Sequence, residues 1–341
     1  MNQFQIKLCE DRSLWEDFLQ NQERTPFLQS WNSGVHYELE GNHIFRLGIY
    51  KDNVPRGICL VIKIQAKRGN YLYIPYGPIL TSPSLALWRI LTAYLVRLGK
   101  EQKVNFIKIS PYIEKNRKLA DFLKKLGYLK SQIHVLSEVS RVLNLEGKTE
   151  SELLGVMRKT TRNLIRRAKK EGVKIIFSKE LNAVDSFYRL YEQTGKRHGF
   201  VLYPKSFIEN QIKAYGPDNQ VVVALAQYQS QVISSAVIMF YGKEAAYHHG
   251  ASSLNFPKIP ASYLLQWEAI RLAQKRGFKY YNFWGIYEGE NPKHPFLGIT
   301  HFKKGFGGES RYWMPCHDLP INKKYWINYW VEKIRRIKRG F

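Results

Sequence analysis

One succession of strands and helices occurs twice along this chain, and no other feature narrows the possible folds as far. In the first half, residues 44–50 and 57–64 read as strands on either side of a turn at Lys51-Asp52-Asn53. Tyr71 to Ile74 reads as a third strand running into Pro75-Tyr76-Gly77-Pro78. A helix is predicted over 84–102, then the strand Val104 to Ile109, then a helix over 114–126 that Gly127 ends. The second half repeats the order. Val221 to Tyr228 and Val232 to Tyr241 flank a turn at Gln229-Ser230, and the strand Ala245 to His248 reaches Gly250. A loop holding Pro257 and Pro260 precedes a helix over 262–276, stopped by Gly277, and the strand Phe278 to Trp284 follows. Equivalent points keep a nearly constant offset. It is 173 from Gly77 to Gly250, 174 from Phe106 to Tyr280 and from Ile109 to Phe283, and 177 between the turn positions Asn53 and Ser230.

A shared offset over three elements implies a duplicated α/β domain. Strands joined by a two-residue turn run antiparallel, whereas helix-linked strands are free to run parallel. The fold class is therefore α/β of the α+β kind, with a mixed sheet in each copy rather than a doubly wound one. No GxGxxG follows a strand and no Walker loop occurs, which excludes the common nucleotide-binding frameworks. A chain of 341 residues suits two such domains, each of about 150–170 residues. Hydrophobic residues make up 44% and aromatics 14%, enough to fill both cores and to exclude global disorder.

Charge narrows the partners. With 53 Lys and Arg against 28 Asp and Glu, the net charge is +25, a surplus that steers polyanions to the surface. A basic helix, Met157 to Lys170, lies between the two copies. There Leu154, Met157, Thr161, Leu164 and Ala168 are expected on one face, with Arg158, Arg162, Arg166 and Lys169 lining another. Almost no acidic neighbour neutralises that stripe, so a phosphate backbone is favoured over a merely solvated face. A second basic amphipathic segment closes the chain. Ile327, Trp330, Val331, Ile334, Ile337 and Phe341 recur at helical spacing among Lys333, Arg335, Arg336, Lys338 and Arg339. Such a segment suits docking, RNA or an anionic membrane surface, and its apolar face is expected to dock on the protein.

Cys9, Cys59 and Cys316 lie far apart without a CxxC pair, which argues against zinc or a disulfide framework and fits a reducing cytosol. The first residues show no basic stretch leading into an apolar one, and no run of about 18 apolar residues occurs, so a cytoplasmic protein is expected.

Several motifs then carry a resemblance. Ala261-Ser262-Tyr263-Leu264-Leu265-Gln266-Trp267-Glu268 leads to Tyr280-Tyr281-Asn282-Phe283-Trp284-Gly285. Phe302-Lys303-Lys304-Gly305-Phe306-Gly307-Gly308 and Asp318-Leu319-Pro320-Ile321-Asn322-Lys323 follow. Gln29-Ser30-Trp31, Tyr76-Gly77-Pro78, the Arg158 to Lys170 helix and Lys196-Arg197-His198-Gly199-Phe200 support them. As an ordered set spanning nearly the whole chain, these resemble the Fem-type (FemABX) peptidyltransferases, which build the peptide bridges of peptidoglycan.

The resemblance implies two tandem acetyltransferase-like (GNAT-like) domains, one of 1–146 with 314–341 and one of 147–313. It also implies that the C-terminal segment packs back on the first. The paired-helix arm of many relatives has no room between Leu202 and Val221. The implied reaction moves glycine, alanine or serine from aminoacyl-tRNA, as co-substrate, to the stem peptide of a UDP-linked or lipid-linked muropeptide. No cofactor or metal is required, and peripheral contact with the inner membrane surface fits the lipid-linked case. Lys303 matches the family position at the tRNA terminus and reacting centre, where an ammonium meets developing negative charge. Phe302 either stacks on the terminal adenine or packs in the core. Arg197 matches the position that holds the precursor's diphosphate, a task suited to a planar guanidinium, with Lys196 assisting and Tyr247 a weaker candidate for the same pocket. Arg158, Arg162, Arg166, Lys169 and Lys304 are the expected tRNA contacts.

Two positions depart from the family pattern. The run Ile109-Ser110-Pro111 has serine where relatives often carry aspartate, and His36-Tyr37 stand after Trp31 where some supply a phosphate-binding lysine. The rival readings are an acyl-CoA N-acyltransferase, against which the Pro-broken stretches 74–85 and 249–262 offer no pyrophosphate loop, and a non-catalytic RNA- or membrane-binding protein. The adjacent His248 and His249 suggest no metal, since neighbouring strand residues face opposite ways.

Overall fold

The computed structural model describes residues 4–81, 84–133, 135–198 and 201–339. Gly199 and Phe200 of the Lys196–Phe200 motif and the terminal Phe341 lie outside the described residues. In chain order the elements are β1 (Phe4–Leu8), α1 (Arg12–Gln20), α2 (Trp31–Leu39), β2 (His43–Lys51), β3 (Val54–Ile64), β4 (Tyr71–Pro75), β5 (Ile79–Leu80), α3 (Leu85–Glu101), β6 (Phe106–Ser110), α4 (Arg117–Lys125) and β7 (Leu129–Lys130). They continue as β8 (Val139–Asn144), α5 (Glu150–Gly155), α6 (Lys159–Lys170), β9 (Lys174–Ser178), α7 (Leu181–His198), α8 (Lys205–Tyr215), β10 (Val221–Tyr228), β11 (Gln231–Tyr241), β12 (Glu244–Ser252), α9 (Ala261–Lys275), β13 (Tyr280–Gly285), α10 (Leu297–Lys304) and β14 (Glu309–Tyr312), and end with β15 (His317–Pro320) and α11 (Tyr325–Arg339).

The chain forms two units, Met1–Glu138 with Tyr312–Phe341, and Val139–Arg311. The first sheet runs β1-β2-β3-β4-β6-β15-β7, with β5 beside β3, and the second runs β14-β8-β13-β12-β11-β10-β9. Both are mixed. Strand β4 pairs parallel with β6, and β12 with β13, while the hairpins β2–β3 and β10–β11 are antiparallel.

The duplication reaches the backbone. Both hairpin turns hold two residues at positive φ, Asp52 and Asn53 in one and Gln229 and Ser230 in the other, the twist that two-residue hairpins require. Each ladder slips register shortly before its turn, between Ile49 and Tyr50 and between Ala226 and Gln227, at the same offset that separates the turns themselves. The parallel pairs are linked through α3 and α9, and after each helix a left-handed residue turns the chain back into the sheet. Gly277 (φ 80°) fills that position after α9 without strain; Lys103 (φ 54°) fills it after α3.

The unit boundary falls earlier than 146/147. Strand β8 pairs with β13 in the second sheet, Leu143 opposite Tyr281 and Val142 opposite Asn282, because Leu143 and Leu145 belong to the second core. The chain also returns to the first unit slightly ahead of 314: the Trp313 amide donates to the Glu138 carbonyl at 2.8 Å.

Helices α6 and α9 cover one face of the second sheet over Val222, Ala224, Ile238 and Phe283. Helices α7 and α8 contact the same strands from the other side. The expected apolar face of the basic helix needs correction. Met157, Thr161, Ile165 and Ala168 are buried, with Leu164 only partly so. Leu154 sits in α5, and the break at Val156–Arg158 resets the helical phase, so Ile165 replaces Leu164.

The C-terminal segment packs on the first unit through apolar surface and charge together: Met314 and Leu319 join the first core, and the Tyr325 ring lies 5.3 Å from Phe106. Strand β15 pairs with β6 and β7, and its Asp318 meets Lys108 at 2.7 Å with both side chains buried. The Lys108 ammonium also donates to Ser131 Oγ at 2.5 Å, and the Tyr325 phenol donates to Asp318 at 3.3 Å. Burial works to lower the Lys108 pKa, but Cys316, Asp318 and Glu332 outweigh it and hold the ammonium charged. The apolar face expected to dock does not: Ile327, Trp330, Ile334 and Ile337 are exposed.

Candidate active site

Helix α10 carries Lys303 and is fixed at its end by close backbone approaches. The Gly305 carbonyl accepts from the Arg158 amide at 2.9 Å. Gly307 and Gly308 both take left-handed φ, and a Cβ on Gly308 would meet the Val142 carbonyl at 2.4 Å. The glycines of the Phe302–Gly308 motif therefore seat the helix rather than cradle a ligand.

Lys303 is a buried lysine, 7% exposed. Its ammonium donates to the Gly285 carbonyl at 2.6 Å and lies 5.6 Å from the centre of the Tyr247 ring. Burial lowers its pKa to about 7, so near neutrality it exchanges readily between charged and neutral forms. Gly285 is aimed by a bend at the end of β13. Trp284 takes φ 65°, unusual for a bulky residue, and its amide is held by Asn282 Oδ1 at 2.8 Å. The Asn282 amide in turn donates to Glu244 at 3.0 Å, and the His248 ring stands edge-on to Trp284 at 5.2 Å. Sequence reasoning misses Asn282, Trp284, Gly285 and Glu244 as site residues; the one available signal is the run Asn282-Phe283-Trp284-Gly285 at a strand end.

Phe302 packs edge-on against Tyr263 at 4.9 Å and Phe306 at 5.3 Å, at the margin of the second core. Lys304 is ion-paired with Glu288 at 2.5 Å. Beside them, Arg158 meets His301 Nε2 of α10 at 2.7 Å. Arg166 and Lys169 face solvent on α6, Arg166 within 3.5 Å of Asn163 Oδ1. Arg162 differs. Its guanidinium donates to the carbonyls of Met157 at 2.6 Å, Leu154 at 3.3 Å and Gly155 at 3.4 Å, closing the end of α5.

Arg197 lies at the end of α7, exposed beside Lys196, and donates to Ser252 Oγ at 3.1 Å. Thr194 fixes that strand end, its hydroxyl accepting from the Ser252 amide at 3.1 Å. Tyr247, expected in this pocket, belongs instead with Lys303, packed against the core under α9, its phenol pushed upward in pKa by burial. Ser110 is buried at the end of β6, and His36 is buried within α2, so neither presents a charged group to solvent. Among the described residues no three His, Cys, Asp or Glu side chains are placed to hold a metal ion.

Two hairpin-plus-parallel-pair domains in one chain define the class, a duplicated acyltransferase fold of the GNAT kind. A tandem GNAT protein from the clavulanic acid biosynthesis pathway shares it, with a TM-score of 0.59 over 94% of this chain and 99% of that one at 9% identity. A FemX crystal structure matches with a TM-score of 0.83 over 96% of this chain and 100% of that one at 18% identity. The FemAB family model matches residues 12–231 and 225–333, and the chain belongs to that family. Aminoacyltransferase FemB of Staphylococcus epidermidis (strain ATCC 35984) is 24% identical, covering 94% of this chain and 96% of its own length. Aminoacyltransferase FemA of Staphylococcus aureus (strain MW2) is 22% identical over 86% and 91%. The FemB alignment runs over 409 positions against a chain of 341, so FemB carries residues that this chain lacks. Among the described residues, the stretch between α7 and β10 holds only α8, of 11 residues.

Proposed function

We propose that this aminoacyltransferase takes an amino acid (glycine, alanine or serine) from aminoacyl-tRNA and joins it to the stem peptide of a peptidoglycan precursor. The precursor is UDP-linked or lipid-linked, and the enzyme works in the cytoplasm, meeting the lipid-linked form at the inner membrane surface. An amine of the stem peptide attacks the ester carbonyl at the tRNA 3′ end. A C–N bond forms, the C–O bond breaks, and the terminal ribose hydroxyl leaves with a proton given up by the amine. The ester is already activated, so the enzyme's share is positioning and stabilisation of the oxyanion.

The observation that carries this reading is the buried Lys303 ammonium, aimed by the Gly285 carbonyl and shielded from water beside Tyr247. A charge in such a low-dielectric seat acts on a developing oxyanion far more strongly than one in water. Phosphates arriving with tRNA raise the Lys303 pKa and keep it protonated in the occupied site. Arg197 with Lys196 is the proposed seat of the precursor's diphosphate, and Arg158, Arg166 and Lys169 supply tRNA backbone contacts. Lys304 contributes on exchange of its Glu288 partner for phosphate. Ser110 accepts no proton in that role, so the attacking amine loses its proton to the substrate itself or to another group.

The test is transfer of labelled amino acid from charged tRNA to a UDP-linked muropeptide. Lys303→Ala is expected to lower single-turnover transfer by about 10²–10³-fold, the loss typical of an oxyanion donor, with the fold intact by circular dichroism. Transfer near the wild-type rate refutes the role of Lys303.

A further inference from the structure

Helix α11 is turned inside out. At about 100° per residue, Trp326, Ile327, Trp330, Ile334 and Ile337 share an arc roughly 100° wide, opposite Tyr325, Asn328 and Glu332. The polar arc is the buried one. Asn328 is 6% exposed and Glu332 9%, and Glu332 lies within the fields of Lys108 and Asp318. The apolar arc faces outward: Trp326 is 45% exposed, Ile327 62%, Trp330 54%, Ile334 51% and Ile337 70%. Water around so contiguous a stripe is unfavourable, and such patches mark contact surfaces.

Charge selects the occupant. Lys323 and Lys324 precede the helix, Lys333, Arg335 and Arg336 lie along it, and its one acidic residue, Glu332, faces inward. Lys333 extends over the Trp330 ring at 4.7 Å, keeping its ammonium beside the apolar stripe rather than in it. The outward face is thus Trp and Ile, and apart from the inward Glu332 every charged residue of the helix is a cation. A second copy of the chain fits it poorly, since a two-fold contact brings like-charged edges together. Exposed tryptophans flanked by Lys and Arg suit the headgroup zone of an anionic bilayer, where the rings bury and the cations meet phosphate.

We propose that α11 is an interfacial anchor, lying in the surface of an anionic phospholipid membrane with Trp330, Ile334 and Ile337 inserted. No described helix is long and apolar enough to cross a membrane, so the contact is peripheral. It deepens the transferase reading, on which its purpose rests, by favouring a lipid-linked acceptor.

The experiment is co-sedimentation of the full chain with phosphatidylcholine vesicles containing about one-third phosphatidylglycerol, against phosphatidylcholine alone. The wild type is expected to sediment with the anionic vesicles only. The variant Trp330→Ser, Ile334→Ser, Ile337→Ser is expected to bind them at least about tenfold more weakly, while transferring to the soluble UDP-linked muropeptide at the wild-type rate. Equal binding by both proteins, or no binding by the wild type, overturns the proposal. So does a concentration-dependent dimer in sedimentation equilibrium that the variant abolishes. Vesicle binding abolished in the variant, with no transfer by either protein, upholds the anchor and counts against the transferase reading alone.

Discussion

The role proposed for Lys303 sets two demands that oppose one another, a charge where negative charge would develop and a seat dry enough to make that charge effective. The cost of the dry seat shows in its pKa, lowered to about 7 by burial. Because the folded value lies below the unfolded one, the folded state binds fewer protons between about pH 7 and 10.5, so this group makes stability rise with pH over that window. Below pH 7 the penalty is present in full. Lys303→Met is therefore expected to exceed the wild type in stability at pH 6, with the gap narrowing by up to about 2–3 kcal/mol by pH 9. Urea unfolding of both proteins across that range measures it; a pH-independent gap contradicts it. Only the motif makes Lys303 visible in the sequence. Its burial, its bond to Gly285 and its pairing with Tyr247 join separate stretches of the chain, which local pattern does not encode.

The basic stripe on α6 divides by what each arginine touches. Arg162 caps three carbonyls around the α5–α6 break, whereas Arg166 and Lys169 extend into solvent. Arg162→Ala is expected to cost about 1–2 kcal/mol in urea unfolding, because it strands carbonyl groups at a helix end. Arg166→Ala is expected to leave stability within about 0.5 kcal/mol while weakening tRNA binding. Equal stability losses would mean that both arginines serve the fold alike. The repeated strands are legible in the sequence because hairpin turns and apolar runs are local signals, and β10 keeps its expected bounds, Val221–Tyr228. Strands β7, β8 and β15 are not legible, since each is defined by partners remote in the sequence: β15 pairs with β6 and β7, and its Asp318 meets Lys108, which joins the middle of the first unit to the end of the chain. Helix α11 shows the opposite failure. Its periodicity is plain in the sequence, but a periodic apolar face does not say which side the protein covers, and here the covered side is the polar one.

Over the whole molecule, a net charge of +25 makes association with a polyanion depend on counterion release. The tRNA affinity is expected to fall linearly on a double logarithmic plot against salt. Charge reversal at Arg166 and Lys169 should reduce the slope by about one for each phosphate no longer neutralised. Filter binding over a salt series reads this, and an unchanged slope removes α6 from the RNA surface. The duplicated fold is shared with acyltransferases that use other donors, so the identity of the donor decides the function. The decisive measurement supplies one muropeptide acceptor with tRNA charged with labelled glycine, alanine or serine, and in parallel with labelled acyl-CoA. Label reaching the acceptor from tRNA, and abolished by ribonuclease treatment, is the expected result; label arriving from acyl-CoA, or from neither donor, contradicts it.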